Sequence, residues 1–150
     1  MSEVLFYHLE RRKLEQILPY LLKQCLEKNW RSLVQMGSPE RVRAMSAYLW
    51  EHPPNGFFPH GSKGKGFDEK QPIFLSEETK GNPNKAEVLF LTDGALRSTL
   101  KGFSRIVFLF DGSDEKSLTE IEQKKKELNK EGHSITYWKE NAKGGFDKEK

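Results

Sequence analysis

The chain has 150 residues, 31% of them charged, with a net charge of +3 and a single cysteine, Cys25. This length fits one domain that buries about two-thirds of its unfolded surface and needs no disulfide or metal to fold. With no apolar run of about 18 residues and no charged-then-apolar leader, we expect a cytoplasmic protein that does not contact membranes. The modest net charge supplies no strong positive field, so we expect direct contact with nucleic acid to be weak or indirect.

The amino-terminal region predicts the order strand, helix, strand. Residues 4–7 and 32–35 have the composition of short strands. Between them, apolar residues at helical spacing over 14–26 mark one face of a helix, on which Cys25 is expected to be a buried, inert thiol. Pro19 either falls in the first turn, whose amides are unpaired anyway, or kinks this helix.

A second helix is predicted from its start signal. Ser38 suits the N-cap, Pro39 suits the first helical position and Glu40 suits the first turn. We expect the helix to end at Trp50. Its inward-facing residues are predicted to be Val42, Met45 and Leu49.

Long loops and three more strands follow. Residues 61–84 are rich in Gly, Lys, Pro and Asn around one short apolar run at 72–75, which predicts loops with a single strand. Continuous apolar runs at 88–91 and 106–109 are typical of strands covered on both faces. Helices are therefore expected on both sides of the sheet.

The last helix has signals at both ends. Asp114 suits its N-cap and Gly132 suits the position just after its end. Its buried residues are predicted to be Leu118, Ile121 and Leu128. A final strand is predicted at 134–138.

Strands that alternate with helices predict a three-layer α/β/α sandwich with a mostly parallel sheet and a Rossmann-like layout. We expect one domain over residues 1–140 and a loose polar tail over 141–150. Such a layout does not by itself imply a nucleotide ligand, because function lies in the site.

Two aspartates raise an enzymatic alternative. Asp93 and Asp111 each follow an apolar strand, the place where α/β enzymes often hold metal-binding carboxylates. Together they suit Mg²⁺ binding in a small metal-dependent phosphodiesterase or nuclease. Each also precedes a glycine, and Asp-Gly is a strong turn signal. We favour turns, and keep the enzyme as the alternative.

No other pattern predicts a cofactor, a metal or a catalytic group. The segment 61–66 lacks the flanking elements of a dinucleotide loop and the Gly-Lys-Ser/Thr of a P-loop. The 4 histidines lack metal-ligand spacing, and no Cys-x-x-Cys accompanies them. We expect His60 to be a hydrogen-bonding organiser of its loop, and we expect no cofactor, no metal and no catalytic site.

Five short segments occur in a characteristic order along the chain. They are Phe6-Tyr7-His8-Leu9, the stretch from Leu49 to Gly61, Gln71-Pro72-Ile73, Phe110-Asp111-Gly112-Ser113-Asp114 and Tyr137-Trp138. In order and spacing they resemble the chi subunit family of bacterial DNA polymerase III, over nearly the whole chain. The resemblance implies the same fold and a non-catalytic accessory subunit that links the clamp-loader complex to single-stranded-DNA-binding protein during DNA replication.

The resemblance implies a surface for a partner subunit. In the family, a tryptophan and a phenylalanine of the second segment face a small subunit, psi, which tethers chi to the clamp loader. Here these residues are Trp50 and Phe57, with Pro59 and His60 shaping the loop. Psi or another clamp-loader subunit is the expected partner, although such aromatic side chains also suit packing onto the protein's own core.

A second surface implied by the resemblance receives the acidic, phenylalanine-ended tail of single-stranded-DNA-binding protein. Such a tail needs an apolar slot and nearby cations. Phe110 is the expected slot residue, and the cations are Lys124, Lys125 and Lys126, of which Lys126 is expected to be the principal one. A solvated helix face is the simpler explanation of these lysines. The chain also departs from the family pattern, since Glu122 replaces an arginine and Lys125 replaces an aromatic residue.

Overall fold

The computed structural model describes residues 3–51, 60–62, 71–93, 97, 100–143 and 145–149. The helices in this part of the chain are α1 (Leu14–Glu27), α2 (Pro39–Glu51) and α3 (Glu115–Lys130). The strands are β1 (Glu3–Leu9), β2 (Ser32–Gln35), β3 (Gly61–Ser62), β4 (Ile73–Ser76), β5 (Val88–Leu91), β6 (Arg105–Asp111), β7 (Ser134–Glu140) and β8 (Phe146–Glu149). None of the described helices has the length and apolar character needed to cross a membrane.

These strands form one sheet in the order β3-β4-β2-β5-β6-β1-β7-β8. Neighbouring strands are parallel, except that β8 pairs with β7 in the antiparallel sense. The chain uses α1 to pass from β1 to β2, and α3 to pass from β6 to β7 on the other side of β1. The predicted mostly parallel, Rossmann-like sheet is confirmed.

Two apolar layers hold the helices against the sheet. On one face, α1 and α2 bury Leu18, Leu22 and Leu49 against Val34, Leu75 and Phe90. On the other face, α3 buries Leu128 with Phe6, Phe74, Leu89, Phe103 and Ile106. Each fully buried side chain of this size contributes roughly 1.5–3 kcal/mol. The helices therefore cover both faces, which confirms the three-layer arrangement.

Local sequence signals set the helix ends. Ser38 Oγ accepts a hydrogen bond from Arg41 N at 3.2 Å, and Asp114 Oδ1 accepts one from Lys116 N at 3.1 Å. Gly132 follows α3 with φ +89°, a left-handed conformation that glycine adopts without steric cost. Pro19 lies inside α1 and is buried. Cys25 is a buried free thiol whose pKa is raised by burial, as expected for a core cysteine.

The carboxyl-terminal segment differs from the sequence-based expectation. A loose tail from Asn141 onward is wrong, because Phe146–Glu149 pairs with Tyr137–Glu140. Asn141 Oδ1 closes the intervening turn by accepting hydrogen bonds from Lys143 N at 3.0 Å and Gly145 N at 2.9 Å. The Phe146 ring also packs edge-on against Tyr7, with ring centroids 5.2 Å apart. The strand pairing, the turn and the packing of Phe146 against Tyr7 together order this polar segment.

Candidate partner-binding surfaces

Trp50 lies at the end of α2 with 51% of its surface exposed. Its ring centroid is 4.3 Å from that of His60, which is buried. His60 Nε2 lies 3.0 Å from Ser46 Oγ on α2. We call Trp50 and His60 the Trp50 surface. Here a buried histidine is bonded to the same helix that carries the exposed indole.

There is little room for a side chain directly after His60. Gly61 begins β3, and a Cβ at this position would lie 2.7 Å from side-chain carbons of Gln71. A side chain at residue 61 would therefore displace Gln71. Phe57 and Pro59, which the resemblance places beside Trp50, lie outside the described residues, as do residues 63–66 of the glycine-rich segment.

A second surface combines a ring from β7 with a cation from α3. Lys125 Nζ lies 4.9 Å from the centre of the Tyr137 ring, within the range of a cation–π interaction. The Phe110 ring packs edge-on to the same tyrosine, with centroids 6.0 Å apart. We call Lys125, Tyr137 and Phe110 the Tyr137 surface. Phe110 is only 6% exposed, so it supports the tyrosine and offers little apolar surface of its own.

The Tyr137 hydroxyl is tied to the central strand. It lies 2.8 Å from His8 Nδ1 on β1. Burial, and next the negative charge of Glu122, together raise the pKa of Tyr137 to about 12. The phenol therefore stays neutral at physiological pH. Gly112 packs directly against His8, since a Cβ on it would lie 1.8 Å from His8 Nε2.

The three predicted lysines do not converge. Lys124 Nζ pairs with Glu127 at 3.4 Å and lines a cavity at the amino edge of the sheet. Lys125 lies over Tyr137, and Lys126 is exposed. Consecutive helical residues are about 100° apart, so this divergence follows from helix geometry. Of the three, Lys125 is the one that the structure places beside Phe110 and Tyr137.

Sequence reasoning missed Tyr137 and His8 as members of this surface. It looked for the ring at the helix position that Lys125 occupies, and the ring comes from β7 instead. A correct prediction of the strand order would have brought these residues together, because β1 lies between β6 and β7. That order sets His8 opposite Phe110 on one side and Lys139 on the other.

The two aspartates of the enzymatic alternative line one crevice of about 670 Å³ at the carboxyl edge of the sheet. Asp93 accepts hydrogen bonds from Arg41 Nε and Nη2, each at 3.2 Å. Asp111 Oδ1 accepts from Ser113 Oγ at 2.6 Å and from Ser113 N at 2.9 Å, and these hydrogen bonds lower the pKa of Asp111. The described residues contain no group of three or more His, Cys, Asp or Glu placed to hold a metal. The hydrogen bonds of Asp111 are those of a turn, whereas Gly94, which follows Asp93, lies outside the described residues.

The loop after β1 is occupied by one of the protein's own carboxylates. Glu140 Oε1 accepts hydrogen bonds from the backbone N of Glu10, Arg11 and Arg12 at 2.9, 2.8 and 3.1 Å. Its Oε2 accepts another from Arg12 Nε at 2.7 Å. Burial by itself would raise the pKa of Glu140, but these hydrogen bonds lower it to about 2. In nucleotide-binding Rossmann folds, the amides after the first strand face a phosphate. Here they face Glu140.

Together, these observations define a small Rossmann-like α/β domain in which α2 ends with an exposed tryptophan and α3 places a lysine over a tyrosine of β7. A family model described as DNA polymerase III chi subunit, HolC, matches residues 1–136, and the chain belongs to this family. It is also 29% identical over 118 residues to a protein named "Probable DNA polymerase III subunit chi" from Rickettsia prowazekii (strain Madrid E), covering 74% of this chain and 71% of that protein. The family resemblance read from the sequence is confirmed.

Proposed function

We propose that this chain is a non-catalytic accessory subunit of the bacterial DNA polymerase III holoenzyme that links the clamp-loader complex to single-stranded-DNA-binding protein. Membership of the chi family supports a place in the polymerase III complex. The Tyr137 surface supports contact with an acidic protein tail, and the Trp50 surface supports contact with a second subunit.

The position of Lys125 over Tyr137 is the observation that carries the proposal. An acidic tail that ends in phenylalanine needs an apolar ring contact and a cation for its carboxylates. In the family, the helix itself carries an aromatic residue at the position of Lys125. Here Tyr137 on β7 supplies the ring, and Lys125 supplies the cation beside it. Glu122 lies near the same ring and opposes an acidic ligand, so we expect weaker binding than an arginine there would give.

Attachment to the clamp loader is assigned to the Trp50 surface. Interface anchors are enriched in tryptophan. About half of the Trp50 residue is exposed, and its ring lies beside the ring of the buried His60. Phe57 and Pro59 belong to the same proposed contact. Psi, or another clamp-loader subunit, is the proposed partner.

A non-catalytic role agrees with the carboxyl edge of the sheet. Asp93 is bonded to Arg41, and Asp111 to Ser113. A metal at either carboxylate would have to displace these donors. Incubation with Mg²⁺ or Mn²⁺ and labelled DNA tests this point directly, because turnover that Asp93→Asn or Asp111→Asn abolishes would establish the nuclease instead.

A peptide ending in Asp-Asp-Ile-Pro-Phe tests the tail contact. We expect Lys125→Ala to weaken binding by about 0.2–1 kcal/mol, the range for an exposed ion pair with a carboxylate of the peptide. Glu122→Arg should tighten it by roughly 1–3 kcal/mol, because a hydrogen bond to a charged group is added. Binding should weaken as salt rises. The measurement is calorimetric titration of wild type and each variant at low and high salt.

Lys80→Ala is the matched control, since Lys80 is an exposed cation that lies outside the Tyr137 surface. Lys126→Ala separates the sequence-based choice of principal lysine from the geometric one. If Glu122→Arg and Lys125→Ala both bind the peptide like wild type, the tail does not bind at the Tyr137 surface. A pull-down of clamp-loader subunits that Trp50→Ala leaves at full strength would contradict the other half of the proposal.

A further inference from the structure

The last strand, β8, lies beside the Tyr137 surface. In its pairing with β7, Glu149 is opposite Tyr137 and Asp147 is opposite Lys139. Residues directly opposite each other in an antiparallel pair share one face of the sheet, with their Cβ atoms about 5 Å apart. β8 therefore places two carboxylates on the face of the sheet that carries Tyr137.

Both carboxylates are at the protein surface, and one of them acts on Tyr137. Asp147 and Glu149 are exposed. After burial and the charge of Glu122, the negative charge of Glu149 is the next cause that raises the pKa of Tyr137. Asp147 is held by Asn141, whose Nδ2 donates to Asp147 Oδ1 at 3.1 Å. Glu149 is therefore close enough to Tyr137 to act on a charge that binds beside the ring.

Lys139 has two acidic neighbours. Its Nζ lies 3.6 Å from Glu10 Oε1, and Asp147 is its cross-strand neighbour. Lys139 shares a face with Tyr137, because the two residues are two positions apart on one strand. A ligand carboxylate would have to compete with Glu10 and Asp147 for this cation. Lys125, which reaches the ring from α3, is better placed to receive it.

The charges around the ring indicate what kind of peptide they suit. Glu122 from α3 and Glu149 from β8 both act on Tyr137, and Lys125 lies over the ring. Lys125 can receive one carboxylate. A second carboxylate directed towards β8 would be repelled by Glu149, because juxtaposed like charges disfavour binding. The arrangement suits a peptide with one carboxylate near Lys125 and an uncharged or basic residue beside β8.

We infer that Glu149 and Asp147 of β8 are specificity-determining residues of the Tyr137 surface, which limit the negative charge that a bound peptide can carry beside β8. This inference deepens the proposed function and rests on it, since it concerns the same surface. It adds a binding role for the carboxyl-terminal strand, which lies beyond the residues 1–136 matched by the family model.

The test compares two peptides with the same apolar end, Asp-Asp-Ile-Pro-Phe and Asn-Asn-Ile-Pro-Phe, by calorimetric titration at low and high salt. The ratio of their Kd values isolates the effect of peptide charge. Glu149→Gln should raise the preference for the acidic peptide about 2- to 5-fold, the range for exposed charges. Asp147→Asn should raise it by a smaller factor, because Glu10 still pairs with Lys139. Both effects should shrink as salt rises.

Two substitutions serve as matched controls. Glu78→Gln makes the same change in net charge at an exposed glutamate after β4, five strand positions from β7. Lys148→Gln changes the residue of β8 that lies opposite Trp138 and therefore on the other face of the sheet. Neither control should change the ratio of the two Kd values. All these side chains are exposed, so we expect the variants to fold, and their urea midpoints check this.

A measurement without any peptide checks the placement of Glu149. In protein with isotope-labelled tyrosine, the ring resonances of Tyr137 are assigned by nuclear magnetic resonance through Tyr137→Phe. They should shift in Glu149→Gln and stay unchanged in Lys148→Gln. Tyr137 resonances that do not respond to Glu149→Gln would overturn the inference, whatever the peptides do.

The titrations distinguish failure of this inference from failure of the proposed function. If the acidic peptide binds and neither Glu149→Gln nor Asp147→Asn changes the ratio, the inference is wrong and the proposed tail contact stands. If no variant binds either peptide, both are wrong. A preference for the acidic peptide that appears only in Glu149→Gln would support the inference, because the carboxylate of β8 is then what limits the charge of the ligand.

Discussion

Charged side chains are paired differently at the two edges of the parallel sheet. At the carboxyl edge, Glu140 is bonded to three backbone amides and to Arg12, and Asp93 is bonded to Arg41. At the amino edge, Arg97 is buried with no carboxylate partner in the described residues. Rossmann-like folds usually bind ligands at the carboxyl edge. Here the carboxylates of Glu140 and Asp93 at that edge are bonded to groups of the chain itself, whereas Arg97 at the amino edge is bonded to backbone oxygens.

Among the variants considered, we expect removal of the charge of Glu140 to have the largest effect on the carboxyl edge. Its pKa falls from 4.5 to about 2 in the folded protein, and each pKa unit is worth about 1.4 kcal/mol. We expect Glu140→Gln to lower the free energy of unfolding by roughly 3 kcal/mol at neutral pH. Urea denaturation measures this loss, with Glu120→Gln, an exposed glutamate on α3, as the control.

The pH dependence of the same variant has a definite sign. A carboxyl group whose pKa is depressed by folding stabilises the protein above its unfolded pKa and loses that effect as the pH falls through its folded pKa. The difference in the free energy of unfolding between wild type and Glu140→Gln should therefore be largest above pH 4.5 and shrink as the pH falls towards 2. A difference that stays constant over this range would show that the charge of Glu140 is not what stabilises the loop.

A methyl group on Gly112 tests how tightly the carboxyl edge is packed. The added Cβ would lie 1.8 Å from Nε2 of the buried His8. We expect Gly112→Ala to destabilise the protein by about 1–3 kcal/mol, the usual cost of overpacking. It should also disturb the His8–Tyr137 contact and so weaken binding at the Tyr137 surface. An unchanged urea midpoint would contradict the close packing, and adding His8→Ala should restore most of the lost stability.

Trp50 should show the smallest effect on stability. Because half of its surface is exposed, Trp50→Ala should change the free energy of unfolding by no more than about 0.5 kcal/mol. Its neighbour Leu49 is fully buried, and Leu49→Ala should cost about 2–5 kcal/mol. Thermal unfolding of the two variants side by side measures the difference. If both variants lose comparable stability, Trp50 belongs to the core and is not free to anchor a partner.

Much of the fold follows from local patterns. β2 coincides with the short strand predicted at 32–35, and β5 with the continuous apolar run at 88–91, which is the pattern of a strand buried on both faces. Ser38 and Asp114 cap their helices as predicted, since capping depends on groups within three residues. These elements are read from neighbours in the sequence.

The candidate surfaces were less predictable, because their contacts are distant in sequence. Glu140 reaches amides 128 to 130 residues earlier in the chain, and no local feature separates it from the other glutamates. The Tyr137 surface depends on β7 lying beside α3. β8 depends on pairing with β7 and on the contact of Phe146 with Tyr7. The family resemblance supplied Trp50, His60 and Phe110 as site candidates, but not Ser46, His8 and Tyr137, which contact them.

The position of β1 has a consequence for how the protein is made. It comes before the other described strands in the chain, yet it pairs with β6 on one side and with β7 on the other. The centre of the sheet therefore cannot close until most of the chain has been synthesised, and the loop after β1 waits even longer, for Glu140. Such non-local pairing slows folding and prolongs the exposure of unpaired strands. A product truncated before β7 would leave one side of β1 unpaired. Such a product would expose an open, apolar sheet instead of forming a smaller folded domain.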